Sequence, residues 1–190
     1  KTNPLNDQEM VEKVFSCVSK SLVGQDELLQ KLKDKIILSS LGIKKTDNFS
    51  APECYVISGS RFSGKSYFLD LFKDTLQKHG VSVLSYSGVH FADAFAPHKI
   101  ATSQGNNTSI CEKVLISPNS VIIIDDFHKV DNSAIPLFNQ IFKHGKFQMS
   151  NGDMADFTNC KIFLTSDISN SQSAMGFQGA VSDRDNLMIH

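Results

Sequence analysis

Residues 59–66 have the types and the spacing that could bind a phosphate group. They read Gly-Ser-Arg-Phe-Ser-Gly-Lys-Ser, which fits the pattern Gly-x-x-x-x-Gly-Lys-Ser/Thr. In such a loop the glycines let backbone N–H groups turn towards an anion, and the helix that follows adds the positive end of its dipole. Lys65 would then neutralise the β- and γ-phosphates of a nucleotide, and Ser66 would hold a magnesium ion. The alternative is an ordinary turn, rich in glycine and serine, that carries a surface lysine.

The residues on either side of this loop favour the phosphate interpretation. An apolar stretch at 55–57 is typical of a strand, and the stretch 67–72 has the apolar spacing of a helix. The order strand, loop, helix is the setting in which a phosphate loop works. We therefore expect nucleotide contacts from a set that runs from the first glycine into the helix: Gly59, Arg61, Phe62, Ser63, Gly64, Lys65, Ser66 and Tyr67.

Two adjacent carboxylates follow a second apolar run. Residues 121–124 are apolar at every position, which predicts a strand buried on both faces, and Asp125 and Asp126 come directly after it. Asp125 would hold magnesium through water, and Asp126 would position or activate the attacking water. The alternative is a buried strand that ends in two solvated carboxylates.

The apolar periodicity predicts the elements that must position these residues. Helical spacing occurs at 9–18, from 25 or 26 to about 39, and at 67–72, 110–115 and 134–142. Strand patterns occur at 55–57, 81–86, 121–124 and 160–165. Strands that alternate with helices predict a parallel sheet with helices on both faces, in which ligands bind at the carboxyl ends of the strands. Asp125, Asp126 and Asp167 all lie at such ends, so we expect one crevice to collect them.

The composition limits the class of protein. A chain of 190 residues is long enough for one domain with a substantial core, and a net charge of −1 gives no sign of an obligatory nucleic-acid partner.

Four separated cysteines without a Cys-x-x-Cys pair predict reduced thiols in an intracellular protein: Cys17, Cys54, Cys111 and Cys160. No segment approaches the roughly 18 consecutive apolar residues of a transmembrane helix. The chain begins at Lys1 rather than Met, and we expect it to be part of a longer protein.

Four segments together resemble the AAA+ ATPases, and within them the group that contains the second ring of the Clp disaggregases and the torsins. Residues 22–27, Leu-Val-Gly-Gln-Asp-Glu, resemble the family's V-G-Q box, and residues 120–129 are similar to its Walker B strand and the following turn. Residues 137–147 resemble the Clp segment L-L-Q-I-L-D-D-G-R-L, and residues 156–166 resemble D-F-R-N-T-V-I-I-M-T-S-N. The resemblance covers about residues 22–169.

The resemblance implies a fold, a cofactor and a class of partner. The fold is that of an α/β P-loop NTPase of AAA+ type, a parallel β-sheet sandwiched by helices, with the large subdomain at 22–169 and no C-terminal helical lid. Residues 1–21 would form an N-terminal helix and residues 170–190 a flexible or partial C-terminal segment. In the family the V-G-Q box lies against adenine, which implies nucleotide contacts from Leu22, Val23 and Gly24. The cofactors implied are ATP or ADP with Mg²⁺. The partners implied are a protein client and further AAA+ subunits, in the cytoplasm or, for a torsin-like protein, in an organelle lumen.

Two positions depart from the family pattern close to the phosphates. The catalytic glutamate is replaced by Asp126, whose carboxylate is one methylene shorter, and a misplacement near 1 Å can cost about a hundredfold in rate. The sensor asparagine is replaced by Asp167, which would add a third negative charge unless its side chain turns away into solvent. The catalytic candidates are therefore Lys65, Asp126 and Asp167, with slow turnover expected. Other AAA+ branches that carry Asp-Asp leave hydrolysis open.

Other candidate residues have less specific patterns. The segment that corresponds to the Clp pore loop, around residues 99–107, offers Gly105 but no aromatic residue, so threading of a polypeptide is not expected. Arg184 lies where an arginine finger would reach a neighbouring subunit's nucleotide, and a surface ion pair with an adjacent aspartate is the alternative. His90 and His128 have no cysteine or carboxylate at ligand spacing, so no metal role is expected for them.

Three functions agree with these patterns. The first is an ATP-binding AAA+ domain with altered catalytic and sensor carboxylates, which hydrolyses ATP slowly or not at all and acts by nucleotide-controlled assembly or protein remodelling. The second is an active Clp- or torsin-like remodelling ATPase in the full-length chain. The third is a nucleic-acid motor or loader, since superfamily-three helicases also combine a phosphate loop with an Asp-Asp pair. The sequence shows no basic stripe for a nucleic-acid strand.

Overall fold

The structure is a computed structural model that describes most of the chain. The described residues are 2–22, 24–41, 51–60, 63–102, 108–167 and, for the backbone alone, 187–189. Several sequence predictions fall outside them: those for Val23, Arg61, Phe62 and Arg184, and for Gly105 with most of the pore-loop segment. Within the described part of the chain, no helix has the length and apolar character needed to cross a membrane.

Two amphipathic helices begin the fold. A 3-10 turn (Pro4–Asn6) precedes α1 (Gln8–Ser21), and α2 covers Asp26–Ser40. The side chain of Asp7 accepts a hydrogen bond from the backbone N–H of Glu9 and thereby caps α1. The buried positions of α1 are spaced three and four apart: Val11, Val14, Phe15 and Val18. Both helices predicted from the periodicity are confirmed.

In the part of the chain that the structure describes, seven strands form two sheets. They are β1 (Glu53–Gly59), β2 (Val83–Ser87), β3 (Val121–Asp125), β4 (Lys146–Gln148), β5 (Met154–Asp156), β6 (Lys161–Asp167) and β7 (Leu187–Ile189). Five of them form a parallel sheet in the order β2-β3-β6-β1-β7, and β4 and β5 form an antiparallel hairpin. The four predicted strands are confirmed, although several of their ends differ; the first strand, predicted at 55–57, covers Glu53–Gly59. The second strand begins at Val83 rather than at residue 81, and Asp167 continues β6 rather than following it.

Helices cover both faces of the parallel sheet. The remaining ones are α3 (Lys65–Lys78), α4 (Ala96–Ala101), α5 (Ile110–Ile116) and α6 (Ile135–His144). Helices α1, α2 and α3 share one core with Ile123 and Phe163 of the sheet, whereas α4, α5 and α6 share the other with Ile124 and Leu164. Neighbouring residues of a strand point to opposite faces, so the fully apolar run of β3 supplies both cores. The predicted sandwich of helices around a parallel sheet is confirmed.

Three elements have no counterpart in the sequence prediction: α4, the β4–β5 hairpin and β7. Helix α4 has 6 residues, and each of the three strands has 3. Segments this short do not show a repeated apolar spacing, which is the signal on which the prediction relied. In the sheet, none of the three lies between β1, β3 and β6, the strands whose ends carry the predicted site. Their omission therefore did not change the predicted location of the site.

The register of the sheet brings the candidate residues together. Strand β6 lies between β1 and β3, so the loop after β1 and the acidic pair after β3 flank it. Gly59 at the end of β1 is the register partner of Asp167 at the end of β6. The predicted convergence of Asp125, Asp126 and Asp167 at one edge of the sheet is therefore confirmed.

Candidate functional site

The loop after β1 leads into a helix whose first turn is open to an anion. Gly59 ends β1, and α3 begins at Lys65 with Gly64 as its N-cap residue. Gly64 has a φ of +85°, a left-handed conformation that favours glycine at this turn. Because glycine has no side chain, it does not cap the first N–H groups of α3. An uncapped helix N-terminus offers hydrogen-bond donors and the positive end of a dipole to an anion.

Lys65 lies inside this loop with its ammonium group surrounded by oxygen atoms. Only 5% of the residue is exposed. Its Nζ donates to the carbonyl oxygens of Gly59 at 3.0 Å and Ser60 at 2.7 Å, and to the hydroxyl of Ser63 at 3.3 Å. It also forms an ion pair with Asp167, in which Nζ and Oδ1 are 3.0 Å apart. The lysine predicted to bind phosphate already has an anionic partner within the chain.

Asp167 is buried beside the phosphate loop, with 9% of the residue exposed. The sequence alternative in which its side chain turns into solvent is wrong, because pairing with Gly59 places this end of β6 against the loop. Its Oδ2 lies 3.7 Å from Nε2 of His128, and its backbone N–H donates to Nδ1 of the same ring at 3.4 Å. Lys65 and His128 therefore contact Asp167 from two sides.

Thr165 of the neighbouring strand orients Asp125. Its hydroxyl is buried and donates to Oδ1 of Asp125, while it accepts the backbone N–H of Asp126 at 2.8 Å. Oδ1 of Asp125 also accepts the same Asp126 N–H at 3.1 Å. Sequence analysis did not assign Thr165 a role, because only the side-by-side packing of β3 and β6 brings its hydroxyl to the acidic pair.

Asp126 lies in a tight turn. Among the described residues other than glycine it is the one with a positive φ, at 56°. A Cβ atom added to Gly88 would lie 2.1 Å from the carbonyl oxygen of Asp126, so the turn requires glycine at position 88. The carboxylate of Asp126 forms an ion pair with Lys129 at 2.5 Å. The close packing of Gly88 thus constrains the backbone of Asp126, and the carboxylate of Asp126 is bound to Lys129.

Asp126, His128 and Asp167 form a cluster that sequence spacing did not reveal. One potential ligand atom from each lies within 4.8 Å of the other two. No metal role was expected for His128 from the order of residues along the chain, and the fold places two carboxylates beside it. Those carboxylates are also bound to Lys129 and Lys65, so the cluster by itself does not indicate a cation.

The segment predicted to contact adenine lies against the phosphate loop. Leu22 is buried, and Gly24 is exposed with a φ of +83°. The side chain of Gln25 donates from Nε2 to the carbonyl oxygen of Ser63 at 3.3 Å, which connects this segment to the loop. At the other end of the predicted set, Ser66 and Tyr67 are exposed at the start of α3.

The donors at this edge of the sheet fit a magnesium nucleotide. The uncapped start of α3 and the ammonium of Lys65 suit phosphate oxygens. The hydroxyl of Ser66 and the carboxylate of Asp125 are hard oxygen donors of the kind that Mg²⁺ prefers. Three buried or half-buried carboxylates also lie at this edge, two of them paired with lysines: Asp125, Asp126 and Asp167.

Comparison with known proteins identifies this architecture. A family model described as "AAA domain (Cdc48 subfamily)" matches residues 92–187, which contain the acidic pair and Asp167. The chain is 27% identical over 173 residues to the ATP-dependent Clp protease ATP-binding subunit ClpL of Lactococcus lactis, an alignment that covers 85% of this chain and 22% of ClpL. It is 24% identical over 172 residues to the chaperone protein ClpB of Clostridium tetani, covering 90% of this chain and 18% of ClpB.

A solved structure shares the fold. A closed-state cryo-EM reconstruction of Hsp104 with ATPγS and FITC casein superposes with a TM-score of 0.69 at 19% sequence identity, covering 86% of this chain and 30% of that one. The chain thus spans about a fifth of the length of the curated relatives it matches.

Proposed function

Because the chain belongs to the AAA+ ATPases of the Clp and Hsp104 type, we propose that it binds ATP or ADP with Mg²⁺ and acts through nucleotide-controlled assembly or protein remodelling, with slow or absent hydrolysis. The observation that carries the proposal is the ion pair between Lys65 and Asp167. It joins an intact phosphate loop to a carboxylate at the position where the family resemblance expects a neutral amide.

The binding half of the proposal rests on the phosphate loop. Lys65 and the first N–H groups of α3 would hold the phosphates, and Ser66 with Asp125 would hold Mg²⁺. When bound, the ion supplies charge neutralisation at the phosphates. Thr165 keeps Asp125 in place through its hydroxyl, and Leu22, Val23 and Gly24 would lie against the base.

The slow-hydrolysis half rests on the two altered carboxylates. An oxygen of Asp126 is bound to Lys129 at 2.5 Å, and the nearby positive charge makes the carboxylate a weaker base for the proton of the attacking water. Its shorter side chain also places the carboxylate closer to the backbone than a glutamate would. Asp167 adds negative charge where the terminal phosphate must gain it. Both features are expected to slow hydrolysis.

Nucleotide binding and hydrolysis, measured side by side on the full chain, test the proposal. We expect magnesium-dependent affinity for ATP or ADP together with turnover well below that of a double variant, Asp126→Glu with Asp167→Asn, which restores the family pattern. Asp153→Asn, at an exposed carboxylate outside the site, is the matched control and should change neither quantity. Absence of affinity for both nucleotides would remove the proposal.

The assembly half needs its own measurement. Sedimentation velocity of the full chain without nucleotide, with ADP and with a slowly hydrolysed ATP analogue should show different mass distributions, and Lys65→Met should abolish the difference. Identical distributions under all three conditions would leave a nucleotide-binding domain without controlled assembly.

An active remodelling ATPase is a second candidate. It is favoured by the alignments with ClpL and ClpB, which cover 85% and 90% of this chain. The test is steady-state hydrolysis in the presence of an unfolded protein such as casein. Turnover that rises with casein and is lost in Lys65→Met would select this candidate over the first. No rise at any casein concentration would exclude it.

The cysteines support a reducing compartment. All four are free thiols, and burial raises the pKa of Cys111 to about 12 and of Cys160 to about 12. Thiols with such pKa values hold almost no thiolate at neutral pH and are inert packing residues. Because all four cysteines are free rather than joined in disulfides, we propose that the protein works in a reducing compartment inside a cell.

A further inference from the structure

We infer that Asp167 makes this site selective for nucleoside diphosphates over nucleoside triphosphates. The inference rests on the proposed function, since it requires nucleotide to bind at the phosphate loop. It goes beyond slow hydrolysis, because it concerns which nucleotide is held rather than how fast one is converted.

The first step is that the ammonium group of Lys65 already has oxygen partners within the chain. An ammonium group has three protons to donate, and Nζ of Lys65 lies within 3.3 Å of four oxygen atoms of the chain. Three of these oxygens are neutral, and the fourth is the carboxylate of Asp167 at 3.0 Å. The chain therefore already supplies Lys65 with an anion, as a terminal phosphate would.

The second step is that Asp167 is held where it is. Its backbone is fixed in β6 by the pairing with Gly59, and only 11% of its side chain is exposed. If Lys65 turned to another anion, the ion pair with the buried carboxylate of Asp167 would be broken, and breaking a buried ion pair is costly in a protein interior. Nε2 of His128 lies 3.7 Å from Oδ2, whereas Lys65 contacts the other oxygen of the same carboxylate, Oδ1.

The third step concerns the difference between the two nucleotides. A diphosphate can use the uncapped start of α3, and Lys65 can exchange one of its three neutral oxygen partners for the β-phosphate while it keeps Asp167. A triphosphate brings an additional charged group that competes with Asp167 for Lys65. It also brings negative charge close to Asp125 and Asp126, and like charges within a few ångströms repel. The penalty therefore falls on the third phosphate.

Calorimetric titration of the full chain with ADP and with ATP, with and without Mg²⁺, tests the inference. We expect ADP to bind about tenfold more tightly than ATP or better, the ratio produced by one additional unfavourable charge interaction of ordinary size. In Asp167→Asn, which keeps the shape and removes the charge, we expect the ratio to fall to about one or to reverse. This change in the ratio should come from tighter binding of ATP by the variant rather than from weaker binding of ADP.

Asp70→Asn is the matched control. Asp70 forms an ion pair with Lys73 at 2.9 Å on the exposed side of α3, so the variant removes the same type of interaction away from the phosphates. Its ADP-to-ATP ratio should equal that of the unmodified chain.

The outcomes separate the inference from the proposed function. Equal or tighter binding of ATP by the unmodified chain would overturn the inference and leave nucleotide binding intact. An unchanged preference for ADP in a folded Asp167→Asn variant would also overturn it, because some other residue would then cause the preference. Failure to bind either nucleotide would overturn the proposed function and the inference together. The measurement on the unmodified chain decides the first outcome even if the variant does not fold.

Discussion

The adjacent strands β1 and β6 carry a buried ion pair at each end, and the two pairs are built differently. At the amino ends, Glu53 of β1 pairs with Lys161 of β6. At the carboxyl ends, Asp167 of β6 pairs with Lys65, which follows β1. Both lysine side chains are almost inaccessible, with 2% and 5% exposed. The same chemistry therefore occurs twice along one pair of strands.

The surroundings separate a fixed pair from an exchangeable one. Glu53 and Lys161 are direct register partners within the sheet, and the hydroxyl of Tyr55 donates to Glu53 at 3.0 Å. Lys65 instead stands at the junction of a glycine loop and an uncapped helix, where another anion can approach. Under the proposed function, the position of Lys65 beside a helix N-terminus, rather than its burial, distinguishes a pair that a phosphate can approach from one that only supports the fold.

Lys161→Met should produce the largest loss of stability. It leaves Glu53 partly buried without its ammonium partner, and breaking a buried pair in this way costs about 3–5 kcal/mol of the free energy of unfolding. Urea denaturation measures the loss, and the Kd of ADP for the folded variant should be unchanged. Lys73→Met, at an exposed pair, is the control and should lose about 0–1 kcal/mol. Equal losses in the two variants would mean that Glu53–Lys161 is not a structural pair.

Lys65→Met should show its main effect in binding. Loss of a charged hydrogen-bond donor to phosphate costs about 3 kcal/mol, or about a hundredfold in Kd. Calorimetry with ADP measures it, and stability should also fall because Asp167 loses its partner. A variant that is less stable yet binds ADP with unchanged affinity would make the carboxyl-end pair a second structural pair, and the comparison would fail.

Gly88→Ala should have a smaller effect that is confined to the carboxyl end. The added methyl group would overlap the carbonyl oxygen of Asp126, so the turn must shift at a cost of about 2 kcal/mol. We expect a lower free energy of unfolding and reduced turnover with little change in ADP affinity. Val89→Ala, at an exposed neighbour, should leave all three unchanged. Unaltered stability in Gly88→Ala would show that the turn can relax freely.

The smallest expected effect is on the pH dependence of the free energy of unfolding. It comes from the Glu53–Lys161 pair at the amino ends of the strands. Burial acts to raise the pKa of Glu53, but the Lys161 ammonium outweighs it, and the folded-state pKa is lowered from the ordinary 4.5. The stabilisation is therefore fully present above 4.5 and is lost as the pH falls through the lowered folded-state pKa. Denaturation from neutral pH down to about pH 3 should show a steeper decline in the unmodified chain than in Glu53→Gln. Parallel curves would contradict this.

Much of the fold could be predicted because its signals are local. The buried strands β1, β3 and β6 appear as apolar runs, and the helices α1 and α2 as regular spacing. The short elements α4, β4, β5 and β7 contain too few residues to form a pattern. Of the candidate site, Lys65, Ser66, Asp125 and Asp126 could be found from the motif alone, since the loop and the acidic pair are each continuous in the chain.

The sequence by itself determined a phosphate loop, an acidic strand end and a parallel sheet that brings them to one edge, because these depend on neighbouring residues and on strand order. The tertiary structure alone decided that Asp167 binds Lys65, that His128 lies beside Asp167, and that Gly88 packs against Asp126. These contacts join residues far apart in the chain. They depend on the register between parallel strands and on the path of each turn, and a shift of one residue would turn the side chains of a strand to the opposite face.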